Sequence, residues 1–155
     1  MRHYMVVANQ SLGGEELMNV IKDRMGAGPC DFFVVVPATP AKELVPNIIP
    51  MPVMGGVPLL EASPEEGRKA AEARLQSALK QLAAAGATTD GHVGDPDPVH
   101  AVENALASRQ FDEIIVSTLP AHVSRWLHQD LPHRLQHKFH LPVTHVEVTN
   151  PRPIA

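Results

Sequence analysis

The stretch Phe32-Phe33-Val34-Val35-Val36 decides the fold class, because all five of its residues are apolar. A strand with one face in water alternates apolar and polar side chains, whereas an uninterrupted apolar run is typical of a strand buried on both faces. Tyr4-Met5-Val6-Val7-Ala8 has the same character. Strands of this kind occur in parallel sheets that are covered by helices on both faces. We therefore expect an α/β fold with these two segments at its centre.

Three further strands are predicted on either side of these two. They are Ala87 to Val93, Glu113 to Val116 and Val143 to Val148. The first of them is polar enough to suggest an edge strand. Because helical patterns fill the gaps between strands, the chain reads as right-handed βαβ units in a doubly wound, Rossmann-like sheet of five parallel strands.

Four helices are predicted in the gaps. They are Gly14 to Met25, a helix that opens with Ser63-Pro64-Glu65-Glu66, a helix that opens with Asp97-Pro98, and a region from about Ser124 to His140. In the second helix, serine is a favourable cap, proline suits the first position and Glu66 completes a capping box. Gly86 follows this helix at a position where glycine commonly ends one.

The bulk composition limits the class of protein. The 155 residues suit one domain, predicted over 1–150 with a short tail at 151–155. With 13 basic against 17 acidic residues, nothing favours nucleic acid as a partner. The single cysteine, Cys30, excludes an internal disulfide. No apolar run approaches the ~20 residues that span a bilayer, so we expect a cytoplasmic protein without a membrane segment.

A proline-rich insert separates the second strand from its helix. It runs from about residue 38 to 63 and contains five prolines and the pair Gly55-Gly56. Irregular segments longer than ~12–15 residues are uncommon in compact domains. The insert is therefore interpreted as a lid, a partner-binding arm or a decoration packed on the sheet. Apolar residues such as Ile48, Ile49 and Met51 favour a packed arm.

Four short motifs resemble the universal stress protein family, in the order that the family has them. They are Met5-Val6-Val7-Ala8-Asn9, Gly94-Asp95-Pro96, Phe111-Asp112-Glu113-Ile114-Ile115-Val116 and Leu141-Pro142-Val143. The resemblance covers nearly the whole chain apart from the insert. It implies a sheet in the order 3-2-1-4-5 with helices on both faces. It also implies a homodimer formed through the last strand, Val143 to Val148.

The family's ATP loop is where this sequence departs from the resemblance. Many members carry Gly, two residues, Gly, nine residues, Gly, then Ser or Thr. The corresponding positions here are Ser117, Pro120, Asp130 and Leu131. Pro120 removes one backbone N–H, and Asp130 places a carboxylate at the expected N-cap of the last helix. Both changes disfavour ATP or AMP bound in the family's usual way.

The residues predicted to bind a small ligand lie at the family's cleft positions. They are Asn9, Gly94, Asp95, Ser117, Thr118, Ser124 and Arg125. Open α/β sheets bind ligands beyond the carboxyl ends of their strands, where Ser117 and Thr118 stand. Arg125 is a candidate partner for an anion. Two alternatives remain open: Ser124 caps a short turn that carries Trp126 into the core, and Asn9 bonds its own backbone.

No catalytic or metal-binding residue is predicted. His133, His137 and His140 have a helical spacing that can hold Zn²⁺, but histidines on a solvated helix face are commoner. Ser124, His128 and Asp130 would crowd a hydrolytic triad onto one or two turns without an oriented base. The sequence also lacks the Gly-x-Ser-x-Gly elbow and the Walker loop.

The leading hypothesis is a non-catalytic, universal-stress-like binding or regulatory domain with a degenerate nucleotide cleft. One alternative is a protein that binds ATP or AMP through a rearranged loop, with slow turnover. The other is a protein-interaction module in which the proline-rich arm covers the cleft.

Overall fold

The computed structural model describes residues 1–8, 12, 14–38, 64–119, 126 and 130–148. Three predicted site residues, Asn9, Ser124 and Arg125, lie outside this set, and so does most of the proline-rich insert. The expected cap Ser63 also lies outside it. Everything below concerns the described residues.

Five strands form one parallel sheet, as predicted. They are β1 (Arg2–Val7), β2 (Cys30–Pro37), β3 (Thr89–Gly94), β4 (Glu113–Thr118) and β5 (Val143–Glu147). Their order in the sheet is β3-β2-β1-β4-β5 and every pairing is parallel. This is the order that the resemblance implied. The polar strand β3 stands at one edge of the sheet, also as predicted, and β5 stands at the other.

Four helices connect the strands in the described part of the chain. They are α1 (Glu15–Ala27), α2 (Pro64–Ala84), α3 (Pro98–Ser108) and α4 (Leu131–Phe139). The ends differ from the predicted ones by a few residues, most at the start of α4. None of the described helices is long and apolar enough to cross a lipid bilayer.

The strand order determines which face each helix covers. From β1 the chain moves to β2 and β3 in one direction, and it then returns past β1 to β4 and β5. Because each parallel crossover is right-handed, the two directions place helices on opposite faces. Accordingly α1 and α2 pack on one face and α3 and α4 on the other.

Strand β1 supplies side chains to both hydrophobic cores. Val6 lies in the core under α1 and α2, while Met5 and Val7 lie in the core under α3 and α4, and all three are completely buried. Successive side chains of a strand point to opposite faces, so a strand covered twice needs apolar residues throughout. The continuous runs in the sequence are therefore explained by the two helical layers.

Two helix ends confirm predictions from local sequence. Asp97 caps α3, because its carboxylate accepts a hydrogen bond of 3.0 Å from the Val99 N–H. Gly86 ends α2 with a positive φ of 94°. Its N–H bonds Ala83 O and the next N–H, of Ala87, bonds Leu82 O, each at 3.0 Å. This pair of bonds is typical of a glycine C-cap.

A polar network holds the end of α1 on the sheet. The Arg24 guanidinium donates to Glu113 Oε2 at 3.0 Å, and the Thr144 hydroxyl donates to the same oxygen at 2.6 Å. The hydrogen bond to Glu113 outweighs the opposing effect of burial and raises the pKa of Arg24 above its ordinary value. The network thereby links α1 to the first residues of both β4 and β5.

Helix α1 begins in close contact with the residue that follows β5. Gly14 is the N-cap of α1, and a Cβ added there would overlap Val148 Cγ1 and lie 2.9 Å from Val148 Cγ2. Val148 is completely buried, and its N–H bonds Thr118 O at 2.8 Å. Gly14 is thus required by packing against Val148 rather than by its backbone conformation, since its φ of −71° is ordinary.

We expect Gly14→Ala to lower the free energy of unfolding by about 1–3 kcal/mol, the usual cost of overpacking. Gly26→Ala is the matched control, because a Cβ at this helical glycine meets nothing within 4 Å. It should raise stability by up to about 1 kcal/mol. Urea denaturation measures both. An equal effect of the two substitutions would contradict the contact with Val148.

Candidate functional site

The candidate site lies at the carboxyl ends of β1 and β4. These strands are neighbours, but β1 continues into α1 on one face and β4 continues towards α4 on the other. The connections diverge at this point, and open α/β sheets bind ligands in the crevice that results. Since Val7 pairs with Val116, the next residues, Ala8 and Ser117, lie side by side at the edge.

Ser117 is the most informative residue of the site. Its side chain is completely buried on the face covered by α1 and α2, the face of its neighbour Val146. Among the described residues, its Oγ has no hydrogen-bond partner. Leaving a buried polar group unpaired costs about 1–3 kcal/mol, and such groups are rare. A hydroxyl can both donate and accept, so Ser117 is equipped to bond a polar ligand atom at the crevice.

Thr118 was predicted to act together with Ser117, but the structure separates their side chains. Consecutive strand residues point to opposite faces, so Thr118 faces α3 and α4. Its Oγ1 lies 2.7 Å from His145 Nε2, and the residue is only 2% exposed. The Thr118 hydroxyl is therefore already paired within the protein, whereas that of Ser117 is not.

Gly94 and Asp95 have structural roles at the end of β3. A Cβ on Gly94 would lie 2.8 Å from Ala101 Cβ, so the glycine allows α3 to approach the sheet closely. The Asp95 carboxylate accepts a 2.8 Å hydrogen bond from the Asp97 N–H and turns the chain into α3. Both residues are accounted for without a ligand.

These two residues also lie far from Ser117. Strands β2 and β1 stand between β3 and β4, and three inter-strand spacings amount to roughly 14 Å. Only an elongated ligand could touch Asp95 and Ser117 together. The structure thus brings Ser117 together with the end of β1, and it does not bring the Gly94-Asp95-Pro96 turn to the same place.

Asp130, the residue before α4, bears on phosphate binding, and one prediction about it is wrong. Asp130 was expected to cap α4 with its side chain, but it makes no such hydrogen bond. Its backbone is left-handed, with φ 54° and ψ 45°, whereas capping residues are usually extended. Its carboxylate instead lies 3.2 Å from His133 Nδ1. Pro132 lies in the first turn of the helix, where proline is tolerated.

Two more predictions concern the same region. Trp126 is half-buried and packs on the core under α3 and α4, which agrees with a turn that carries it inward. In α4, the rings of His133 and His137 are 6.4 Å apart between centroids, and His133 is well exposed. No group of three His, Cys, Asp or Glu in the described part of the chain could hold a metal ion.

Sequence reasoning missed two residues that complete the edge. The sequence places His145 in the last predicted strand without a role of its own, yet its imidazole pairs with Thr118. Val148 was considered part of the last strand, yet it packs on Gly14 and covers the start of α1. Both contacts depend on the register of β5 against β4, in which His145 lies beside Val116. No local motif in the sequence signals that register.

We expect Ser117→Ala to raise the free energy of unfolding by about 1 kcal/mol in the absence of ligand, because it removes an unpaired buried hydroxyl. Thr118→Val is the matched substitution. It should lower stability by about 0.5–1.5 kcal/mol, since it removes the bond to His145. Chemical denaturation gives both values, and a loss of stability in Ser117→Ala would mean that its hydroxyl is hydrogen-bonded in the folded protein.

Comparisons with known proteins do not assign the chain to a family. No protein-family model matches the chain, and a search of curated proteins finds no match. The resemblance to universal stress proteins therefore stays a prediction. The five-stranded parallel sheet and its strand order stand on the structure itself, and a fold alone does not determine a function.

Proposed function

We propose that the chain is a non-catalytic binding domain of the universal stress type, whose ligand lies against the carboxyl ends of β1 and β4. The observation that carries the proposal is the completely buried hydroxyl of Ser117, which has no partner among the described residues. A ligand hydroxyl or ring nitrogen at the crevice would supply the missing hydrogen bond. Binding would then remove the free-energy cost of leaving the Ser117 hydroxyl unpaired in the free protein.

A binding role is favoured over catalysis by the state of the reactive groups. In the described part of the chain, the one hydroxyl–imidazole pair is that of Thr118 and His145. Thr118 faces α3 and α4, on the opposite side of the sheet from Ser117, so a ligand bonded to Ser117 does not lie against its oxygen. A nucleophile must reach the reacting atom as well as contact its base.

A triphosphate is disfavoured by the residues in the loop. Phosphate loops present backbone N–H groups, and both Pro120 and Pro132 remove one. Asp130 adds a carboxylate that is largely exposed, although His133 lies close to it. At the other side of the crevice, Glu15 and Glu16 occupy the first turn of α1 and offset its positive dipole end. These features favour a ligand without a phosphate group, such as a nucleoside.

Titration of the ¹⁵N-labelled chain with adenosine, AMP and ATP tests the proposal. We expect adenosine to shift the amide signals of Ala8, Ser117 and Thr118, with no gain in affinity for AMP or ATP and no phosphate release. Ser117→Ala should weaken binding by about tenfold, since it removes one hydrogen bond to the ligand. Thr118→Val is the control and should leave the affinity unchanged.

Each alternative function predicts a different result in this titration. A rearranged nucleotide loop requires AMP or ATP to bind more tightly than adenosine, with slow release of phosphate from ATP. An interaction module requires that none of the three compounds shifts the edge signals, and that deletion of residues 44–58 abolishes capture of a partner while the sheet still folds. Absence of any shift at Ala8 and Ser117 would contradict the proposed function.

We also propose that the domain is a homodimer formed through β5. An edge strand leaves a row of backbone groups without partners on its outer side. The Val148 N–H points towards β4, where it bonds Thr118 O, and N–H directions alternate along a strand. The His145 N–H, three residues earlier, therefore points outwards, where a carbonyl of a second copy of the chain would accept from it.

We expect His145→Pro to convert the dimer to a monomer, because proline removes this outward N–H, and proline is tolerated on edge strands. His145→Gln is the control, since it also loses the imidazole but keeps the N–H, and it should remain dimeric. Sedimentation velocity distinguishes the two species. A monomeric wild-type chain at high concentration would contradict the proposed dimer.

A further inference from the structure

The amino edge of the sheet, opposite the candidate site, carries a cleft. It is open and has a volume of about 570 Å³. Its walls come from the first residues of β1, β2 and β3 and from the turn between α3 and β4. A smaller cleft of about 380 Å³ adjoins it and shares His3, Arg109 and Phe111. No predicted site residue lies in either cleft.

One cationic side chain of the protein, that of Arg109, already lies in this cleft. The guanidinium of Arg109 lies 4.3 Å from the centre of the Phe33 ring and 3.2 Å from Asp90 Oδ2. A ring face and a carboxylate together stabilise a cation in this way. The Arg109 side chain is about half exposed, at 49%, so this arrangement persists in contact with water. The chemistry of the wall therefore suits a positively charged group.

A second carboxylate, that of Asp31, also lines the cleft. Asp31 Oδ1 lies 2.8 Å from His3 Nδ1, and this contact fixes the orientation of the carboxylate. The contact with His3 uses Oδ1 of this carboxylate. The side chain is one-third exposed, at 33%, and lines the cleft, so a ligand there can reach the carboxylate. Phe111, on the turn after α3, supplies an apolar surface in the same cleft.

The surrounding charges also favour a cation. Asp31 and Asp90 line the larger cleft and Asp112 lines the smaller one, against the single guanidinium of Arg109, which Asp90 already engages. Helix α3 ends beside the cleft at Ser108, and a helix C-terminus carries a partial negative charge. His92 packs against Phe33, and burial, aided by the charge of Arg109, lowers the pKa of its imidazole. It is therefore neutral at pH 7 and does not repel a cation.

We propose that this cleft binds a small organic cation of the alkylammonium or guanidinium class. The charged group would bond Asp31 Oδ2, and the aliphatic part would lie against Phe111. The site is independent of the proposed function at the carboxyl edge, because the two lie at opposite ends of the strands.

Titration of the ¹⁵N-labelled full chain with agmatine at pH 7.5 and low salt tests the proposal. We expect the amide signals of residues 3, 31, 88–90 and 109–112 to shift, while those of Gly94 and Thr118 do not. Butane-1,4-diol, a neutral compound of similar length, and AMP, an anion, should leave the amino-edge signals in place. Shifts with butane-1,4-diol or AMP at these residues would overturn the assignment to a cation, and so would no shift with agmatine.

Matched charge substitutions separate a built site from general attraction to an acidic protein. Asp31→Asn should weaken agmatine binding about tenfold or more, because it removes the charged acceptor. The asparagine oxygen can still accept from His3, so the wall should keep its structure. Glu72→Gln removes one exposed carboxylate from α2 and should have no effect. Equal effects of the two substitutions would overturn the proposal.

Asp90→Asn gives a second test that does not depend on the contact between Asp31 and His3. Asp90 lies on the edge strand with a side chain that is 65% exposed, so its replacement should not prevent folding. Without its partner carboxylate, Arg109 is free to repel the ligand, and agmatine affinity should fall. Unchanged affinity in both aspartate variants, with a normal spectrum, would also overturn the proposal.

Discussion

The structure depends on the burial of β1 on both faces. This strand is central in the sheet, with β2 on one side and β4 on the other, and its residues Met5, Val6 and Val7 are completely buried. Full burial of a leucine- or valine-sized side chain stabilises the folded protein by about 1.5–3 kcal/mol. The side chains of β1 do so in both cores. The chain must therefore cover both faces with helices, and it does so by moving first to β2 and β3 and then back to β4 and β5.

The parallel direction of all five strands determines the chemistry of the two edges. In a parallel sheet with right-handed crossovers, helices begin at the carboxyl edge and end at the amino edge. Helix N-termini favour anions and C-termini favour cations. Here the carboxyl edge carries Glu15, Glu16 and Asp97 at helix starts, which reduces its attraction for anions. At the amino edge, by contrast, Asp31 and Asp90 add to the negative ends of the helices. The two edges of the sheet therefore differ in the charge that they favour.

Most of the fold could be predicted from the sequence, because its signals are local. Continuous apolar runs identify strands covered twice, and Asp97-Pro98 and Gly86 mark helix ends by backbone chemistry that acts within a few residues. Asp130 is the exception among the local signals. The residue is a common helix cap, but its left-handed backbone directs the carboxylate to His133. The sequence does not contain the φ angle that decides between these two outcomes.

The candidate site was less predictable, because it depends on which residues the strands bring together. Ser117 and Thr118 are adjacent in sequence and similar in chemistry, yet the pleat of β4 sends their side chains to opposite faces. The Thr118 hydroxyl pairs with His145 on the neighbouring strand, whereas the Ser117 hydroxyl has no partner among the described residues. The difference follows from the register of β5, which is set by packing between distant segments such as Gly14 and Val148. The sequence shows two neighbouring hydroxyls, and only the fold shows that one of them is paired with His145.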